Sequence, residues 1–486
     1  GTKDLSRAKG MADGTLRLSV PDAKLWSPEH PHLYGLRLTL RKDGKVVDEV
    51  RSYAAMRTIS SERDWDQGFM RMQLNGRNYF HYGPLDQGWY PDGLYTAATE
   101  EAMLYDLQVT KQLGFNMIRK HVKVEPDRWY YLCDSLGILV WQDMPSGDYG
   151  NQWEPYKYNG GTDRQRSAAS AANYYREWHD IVDQCDQHPC VVVWVPFNEG
   201  WGQFDTDRMT NIIDQRVNVL SPSRYGKASL ICCASGWTDS NIGNIIDVHS
   251  YPHPGCPHHA TRAAVCGEYG GITLHVPGHI WPGGDFQYTV VESPEDFTTY
   301  FSMLGDEIKD LYTMGLNAAV YTQLSDVEIE KNGMYTYDRR VLKPFSPYHK
   351  LRQNILECID LPNTKRVERT ILSTAKEHAY KWRYTTEEAP RHWQDLTFDD
   401  SKWKVGEGAL GHGVGEFPGL VRTDWNTSQI YMRRWFYLGN ISQEHINKLQ
   451  FKLFHDDDID IYINGVWAGA HAGCVFNYWN MPINKE

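Results

Sequence analysis

Two glutamates stand where buried strands deliver them to a surface. Val191–Trp201 reads VVVWVPFNEGW: five consecutive apolar residues run through Pro196 and Phe197 into Asn198, Glu199, Gly200 and Trp201. Farther on, Ala263–Gly267 leads into Glu268, with Tyr269, Gly270 and Gly271 behind it. Uninterrupted apolar runs of this length suit strands covered on both faces of a parallel sheet, and the C-terminal ends of such strands are where chemistry collects. Two carboxylates facing one pocket are what glycoside hydrolysis needs. One is protonated to assist the leaving group and the other is ionised to attack the anomeric carbon; their repulsion raises the pKa of one. The plain alternative is a strand-end Glu that caps a turn. The adjacent Asn198, the flanking aromatics and the repetition of the design at a second strand favour a pocket instead.

Positioning both groups calls for repeated βα units. Between about 70 and 355 the candidate strands are Tyr79–Tyr82, Asn116–Arg119, Leu139–Gln142, Val191–Phe197, Leu230–Cys233, Ile245–His249, Ala264–Gly267 and Ala318–Thr322. Helical periodicity lies over Glu100–Leu113, Asp127–Leu136, Ala171–Cys185, Thr206–Leu220 and Pro294–Met314. Eight strands over this length match a (β/α)8 TIM barrel, with Glu199 and Glu268 on strands four and seven. A doubly wound open sheet is the alternative, but no glycine-rich phosphate loop follows any strand.

The flanks read as β. Residues 1–62 alternate at Leu16–Val20, Leu36–Leu40 and Val46–Val50, with a turn at Lys42-Asp43-Gly44, and supply about half a sandwich. The chain is therefore expected to begin inside a domain. The barrel is assigned to 63–355 and a linker to 356–378. A second β-rich segment follows at 379–486, with strands over Gln429–Tyr437, Leu449–Phe454 and Ile459–Ile463 and a hairpin turn at Asn464-Gly465. That segment ends soon after Tyr478, early for a closed sandwich.

Composition excludes several classes. The 486 residues are 41% hydrophobic with 18 Trp and 30 Tyr, enough for two or three domains with sizeable cores. A net charge of −12 with no Lys/Arg-rich run removes nucleic acid from the expected partners. No apolar run of about 18 residues occurs, so no membrane span is expected. GTKDLSRAKG is not a signal peptide, although a removed leader stays open. Aromatic residues make up 13%, and exposed rings stack on sugar faces, although most serve cores. None of the nine Cys forms a CxxC pair; Cys190, Cys232, Cys233 and Cys266 sit in or beside apolar strands as small hydrophobes, which predicts mostly free buried thiols and no metal framework. Asp456-Asp457-Asp458 lacks the spacing of a calcium hand. The sequons at Asn426 and Asn440 are too short to be informative. A homo-oligomer is compatible with all of this.

These residues carry a resemblance. The segments LWSPEHPHLYGLRLTL (Leu25–Leu40), GFNMIRKH (Gly114–His121), CDSLGILVWQDMP (Cys133–Pro145), PFNEGW (Pro196–Trp201) and GEYGG (Gly267–Gly271) resemble glycoside hydrolase family two, the β-galactosidase and β-glucuronidase family. The resemblance implies an immunoglobulin-like β-sandwich, here partial, before a TIM-barrel catalytic domain. It implies Glu199 as acid/base, Glu268 as nucleophile, and Asn198 on the sugar 2-hydroxyl. Tyr251 matches the family tyrosine that hydrogen-bonds the nucleophile, and Arg119 the arginine near it. His121, Asp86, Trp89, Trp141, Asp143, His249 and Trp201 are expected to line the pocket. The segment from Arg391 to Tyr478 resembles a sugar-binding jelly roll that more often packs than binds.

Departures bear on the substrate. Where glucuronidases carry an Asn-x-Lys pair, this chain reads Glu330-Lys331-Asn332-Gly333; Asn363-Thr364-Lys365 has the letters but lies beyond the barrel. Gln142-Asp143-Met144-Pro145 lacks the metal ligands of the large β-galactosidases, and Gln323 stands where many relatives have Trp. The resemblance thus implies a retaining exo-acting β-glycosidase, β-galactosidase-like, for terminal neutral sugars, with no cofactor and no metal. A β-glucuronidase is the alternative within the family, and a non-catalytic carbohydrate-binding protein the alternative from another class. A periplasmic or secreted location is suggested by the resemblance alone.

Overall fold

The structure is a computed structural model describing residues 4–65, 67–148, 163–164, 166–219, 229–364, 370–412, 420–439, 441, 446, 449–471 and 479–483. Two compact units divide the chain, 1–364 and 365–486.

In the first unit, eight parallel strands form a TIM barrel: His81–Asp86, Met117–Lys120, Leu139–Asp143, Val191–Val195, Leu230–Ile231, Ile245–Ser250, Ala263–Gly270 and Leu316–Thr322. The eighth strand pairs with the first, Ala318 opposite His81 and Tyr321 opposite Pro84, which rules out the open doubly wound sheet. Only the junction between strands five and six lacks a ladder. There, Cys232 turns away to bridge Gly243 antiparallel, and Asn244 N donates to Ile231 O at 2.9 Å. This explains why strand five stops at Ile231 and not at Cys233. Strand one starts and ends later than its apolar letters suggest, because Gly83 and Pro84 lie inside it. A Cβ on Gly83 would fall 1.9 Å from the Met117 carbonyl oxygen, so the first two strands can approach only at glycine.

The helices follow their caps. Thr99 accepts from Ala102 N and Gly114 closes the other end at φ 103° for Glu100–Leu113; Asp127–Leu136 ends at Gly137, also left-handed. Ser167 caps Ala168–Cys185 and Ser293 caps Pro294–Thr313, whose first position is proline. Thr206–Leu220 is not one α-helix: it is α-helical to Ile213 and π-helical over Asp214–Val219, and Leu220 lies outside the described residues. No helix separates strands five and six or six and seven among the described residues, so the βα alternation is incomplete there. An unanticipated helix, His349–Ile359, crosses the expected boundary at 355. Its stripe of Leu351, Ile355 and Cys358 is buried in the core, which draws 356–364 into the first unit.

Leu16–Val20 forms no strand, contrary to its alternation. One hairpin remains in this part, Tyr34–Lys42 with Lys45–Ala54, turning through Asp43 and Gly44, both at positive φ. Its side chains are mostly exposed.

The second unit is antiparallel for the most part. Ile459–Ile463 and Val466–His471 form the expected hairpin over Asn464-Gly465, with φ 53° and 83°. Gln429–Tyr437 contracts to Tyr431–Arg433 and Leu449–Phe454 to Gln450–Leu453, while Lys381–Thr385 and Lys404–Glu407 were not anticipated. Asn426 and Asp456–Asp458 are exposed; Lys365, Asn440 and Tyr478 lie outside the described residues. Eight cysteines are unbridged, seven buried and Cys256 half-buried; Cys474 lies outside the described residues. Among the described residues, no helix is long and apolar enough to cross a membrane.

Candidate active site

Strand four ends at Val195, and the next residues are held by the turn after strand five. Ser235 N donates to Phe197 O and Glu199 N to Ser235 O, both at 2.8 Å. Phe197 is buried, stacked on Tyr174 with ring centroids 5.5 Å apart. Glu199 itself takes a left-handed backbone, φ 50°, followed by Gly200 at 73°. A non-glycine residue pays for that conformation, and such strain clusters where a side chain must be aimed.

Glu268 is aimed by a bulge. Strands six and seven pair Val248 with Cys266 and then His249 with Glu268, so Gly267 is skipped. Gly267 N donates to Asp247 Oδ1 at 2.5 Å, and a Cβ there would lie 2.0 Å from Asp247 Oδ2. Tyr251 O–H donates to Glu268 Oε2 at 2.6 Å, and Arg119 Nη1 to Glu268 Oε1 at 3.1 Å. Arg119 is fully buried and also donates to both Asp143 oxygens (3.2 and 2.9 Å), Asn198 Oδ1 (2.7 Å) and Gly267 O (3.1 Å). Burial opposes its charge, but Asp143 and Glu268 outweigh burial and hold its pKa above the ordinary value. Against the same burial, Arg119 holds Asp143 below the usual carboxylate range.

His249 sits between the two glutamates. Nδ1 lies 2.7 Å from Glu199 Oε1 and 3.5 Å from Glu268 Oε2. Nε2 lies 2.7 Å from Ser235 Oγ, which donates to Asp247 Oδ2. Burial works against a charged ring, yet Glu268, Asp247 and Glu199 together push its pKa up to about 10. His249 is therefore imidazolium at neutral pH, donating to Glu199 and to Ser235. Burial raises the Glu199 pKa, but the His249 hydrogen bond and charge, with His121 and Arg119, bring it below the usual value. Nearest ligand atoms of Glu199, His249 and Glu268 all lie within 4.8 Å of one another, a grouping that could hold a metal ion. A proton retained on Nδ1 opposes that use, since a metal binds neutral imidazole.

Of the expected residues, the barrel gathers Glu199, Glu268, Asn198, Arg119, Tyr251, His249 and Asp143, with His121 Nδ1 3.3 Å from Asp143 Oδ2. Others lie apart. Asp86 accepts from Lys120 Nζ at 2.5 Å within a buried cluster that includes Glu125. Trp141 is buried in the core, its indole N–H on His81 Nδ1 at 3.0 Å. Trp201 is 40% exposed, and Trp89 lines a neighbouring cavity. Unanticipated members are Ser235, Asp247, Thr322 (2.6 Å from the Tyr251 hydroxyl) and Gln87, which joins Gln323, Glu330 and Asn332 in a polar cluster at strands one and eight. In that cluster Gln323 Nε2 donates to Glu330 Oε2 (2.7 Å) and Asn332 Oδ1 (2.8 Å), and Gln87 Nε2 donates to Glu330 Oε2 (3.1 Å). Burial and then the Glu268 charge raise the Glu330 pKa, which places it within electrostatic reach of the centre. Asp247 had a signal, an acid two residues before His249 inside an apolar strand. Ser235 and Gln87 had none.

A nearly closed barrel delivering two glutamates from strands four and seven to one pocket has the architecture of glycosidase barrels. The family is explicit: the chain belongs to glycosyl hydrolases family 2, matching that family's TIM barrel domain over residues 95–344 and a further family 2 domain over 2–57. It is 22% identical over 377 residues to a β-glucuronidase of Bacteroides fragilis, covering 70% of this chain and 50% of that one. It is 32% identical over 219 residues to a β-galactosidase of Streptococcus thermophilus, covering 44% and 20%. The chain thus spans half or less of the length of these relatives. The FMN-binding β-glucuronidase from Facaelibacterium prausnitzii L2-6 shares the fold, with TM-score 0.53 at 15% identity over 97% of this chain and 62% of that one.

Proposed function

We propose that this chain is a retaining exo-acting β-glycosidase for terminal neutral sugars, with a β-galactoside the first candidate. The observation that carries the reading is the grouping of Glu199 and Glu268, one carboxylate oxygen of each lying within 4.8 Å of the other. Retaining enzymes hold their carboxyl groups about 5–5.5 Å apart, and inverting enzymes leave room for a water. Glu268 attacks the anomeric carbon, the bond to the leaving oxygen breaks, and that oxygen takes a proton from Glu199. Water then gives a proton back to Glu199, attacks the same carbon and releases Glu268. Tyr251 and Arg119 each donate to one Glu268 oxygen, which fixes its orientation. Asn198 spends its oxygen on Arg119, leaving its NH2 for the sugar 2-hydroxyl.

The neutral-sugar reading rests on the strand-eight loop. Lys331 Nζ is turned onto the Gly284 carbonyl and lies 3.4 Å from Asp285 Oδ1, whereas Glu330 and Asn332 meet Gln323. Arg339 is committed to Asp106 and Arg340 lies on the surface. A uronic acid would therefore meet the Glu330 carboxylate with none of Lys331, Arg339 and Arg340 turned to offset it. The test compares nitrophenyl β-galactoside with nitrophenyl β-glucuronide at equal pH and salt. A kcat/KM at least about tenfold higher for the neutral sugar, roughly 1.4 kcal/mol, is expected. Preference for the glucuronide would establish the second reading, which the Bacteroides fragilis relative's name favours. Release of no chromophore from any nitrophenyl glycoside would leave the non-catalytic binding protein.

A further inference from the structure

Tyr251 points its hydroxyl at Glu268, and a second tyrosine lies flat on Tyr251. The single Tyr251 proton is spent on Glu268 Oε2, so the Thr322 hydroxyl, 2.6 Å away, donates to the Tyr251 oxygen in turn. Both contacts fall on the tip of the ring. One face of the ring is covered by Tyr288, parallel to it within 4° with centroids 3.9 Å apart. Tyr288 is 42% exposed and so forms the outer leaf of the pair.

The segment that carries Tyr288 is held at both ends. After strand seven, Ile272–Leu274 pairs in parallel with Thr289–Val291, Ile272 opposite Thr289, which brings Tyr288 beside Gly271. A Cβ on Gly271 would lie 2.5 Å from Tyr288 Cδ2, so the ring fills space that glycine leaves open. At the other end, Phe286 N donates to Ile329 O at 3.0 Å and Phe286 bridges Glu330, which ties the segment to the loop after strand eight. The Phe286 ring meets Tyr288 edge to face, centroids 5.1 Å apart. Burial, and then the charges of Glu268, Glu199 and Glu330, raise the Tyr288 pKa above its ordinary value, which places the ring in the field of all three carboxylates.

A phenol hydroxyl stands at the end of a long side chain, where a small rotation about the first torsion carries it out of hydrogen-bond range. We infer that Tyr288 is a positioning residue for the nucleophile: by lying on Tyr251 it keeps that ring in the orientation in which the hydroxyl reaches Glu268. The stack uses the Tyr288 ring and not its hydroxyl. The inference rests on the glycosidase reading, which makes Glu268 the attacking group.

The test is a double-substitution cycle, read in kcat and KM with the nitrophenyl glycoside that the unaltered protein hydrolyses best. Tyr288→Leu is expected to lower kcat about three- to tenfold with KM changed less than about twofold, and Tyr288→Phe, which keeps the ring, to recover most of that loss. Combined with Tyr251→Phe, where no hydroxyl is left to aim, the further cost of Tyr288→Leu should shrink to less than about twofold. Melting temperature checks folding, and Tyr288→Met serves if Tyr288→Leu does not fold. An unchanged kcat in Tyr288→Leu overturns the inference. So does a loss confined to KM, or a loss of the same size with and without the Tyr251 hydroxyl, either of which would make Tyr288 a direct contact of the sugar. Those results leave the glycosidase reading standing. No hydrolysis of any nitrophenyl glycoside by the unaltered protein overturns that reading and this inference with it.

Discussion

Replacing His249 by Gln should move the alkaline limb of the pH–rate profile to lower pH. In the native site one proton is shared between His249 Nδ1 and Glu199 Oε1, 2.7 Å apart. The protonation that matters belongs to the pair and not to either residue. The form with the proton on His249 and the form with it on Glu199 carry the same charge, so the acid-competent population persists until the pair loses its proton near the His249 value of about 10. Glutamine still donates to Glu199 but holds no titrating proton. Glu199 must then retain a proton alone, raised by burial and lowered by His121 and Arg119. Its own titration replaces that of the pair, so the alkaline limb of the variant falls below the native one, and each unit of that displacement is a tenfold loss at any pH between the two limbs, where the native enzyme loses nothing. The assay is kcat/KM from pH 4 to 10 for a nitrophenyl glycoside and for a dinitrophenyl glycoside, whose leaving group needs little protonation and should show no shift. Melting temperature checks that the variant is folded. Limbs that coincide within half a unit for the poor leaving group would refute the shared proton.

Other substitutions probe the remaining parts. Glu268→Gln should abolish turnover of every substrate; Glu199→Gln should spare the first step for the best leaving groups, and azide should restore turnover as a β-glycosyl azide, an α product being the result against retention. Tyr251→Phe removes one hydrogen bond to a charged carboxylate, worth about 1.5–3 kcal/mol, so kcat should fall roughly ten- to hundredfold with KM little changed in steady-state kinetics. Gly267→Ala drives a methyl into Asp247 and should destabilise by about 2 kcal/mol, read as a lower denaturant midpoint, with activity reduced as the bulge relaxes.

Much of the barrel was legible because its strands are buried on both faces, so that Val191–Val195 or Leu316–Thr322 need no tertiary context to be read. Glu199 and Glu268 stood out because each breaks such a run with a charge. Tyr251 and Arg119 came from motif resemblance, and both meet Glu268. What escaped depends on distant contacts. Ser235 meets the site only because strand five ends early, and Gln87 only because the barrel closes strand one against strand eight. Residue type and strand face do not tell depth: Trp141 and Asp143, two residues apart, share one face of strand three, yet the Trp141 indole meets His81 while Asp143, at the strand end, meets Arg119. Leu16–Val20 alternates without pairing, since period two alone does not supply a partner.

The placement of the Gln87–Gln323–Glu330–Asn332 cluster has a consequence for how such a molecule can change. Groups that touch the two glutamates arise from strands two to four and from the stretch between strand five and strand seven, tied together by Arg119. On the proposed reading, the groups facing the far edge of the sugar arise from the loops of strands one and eight, adjacent where strand eight pairs with strand one, while Asn198 on the first arc keeps the 2-hydroxyl. Bond breaking and recognition of the far edge then fall on separate arcs of one rim. A lineage can rewrite the second arc by insertions and substitutions in two loops without disturbing the proton inventory of the first, so preference for one sugar can drift while the bond-breaking step is inherited intact.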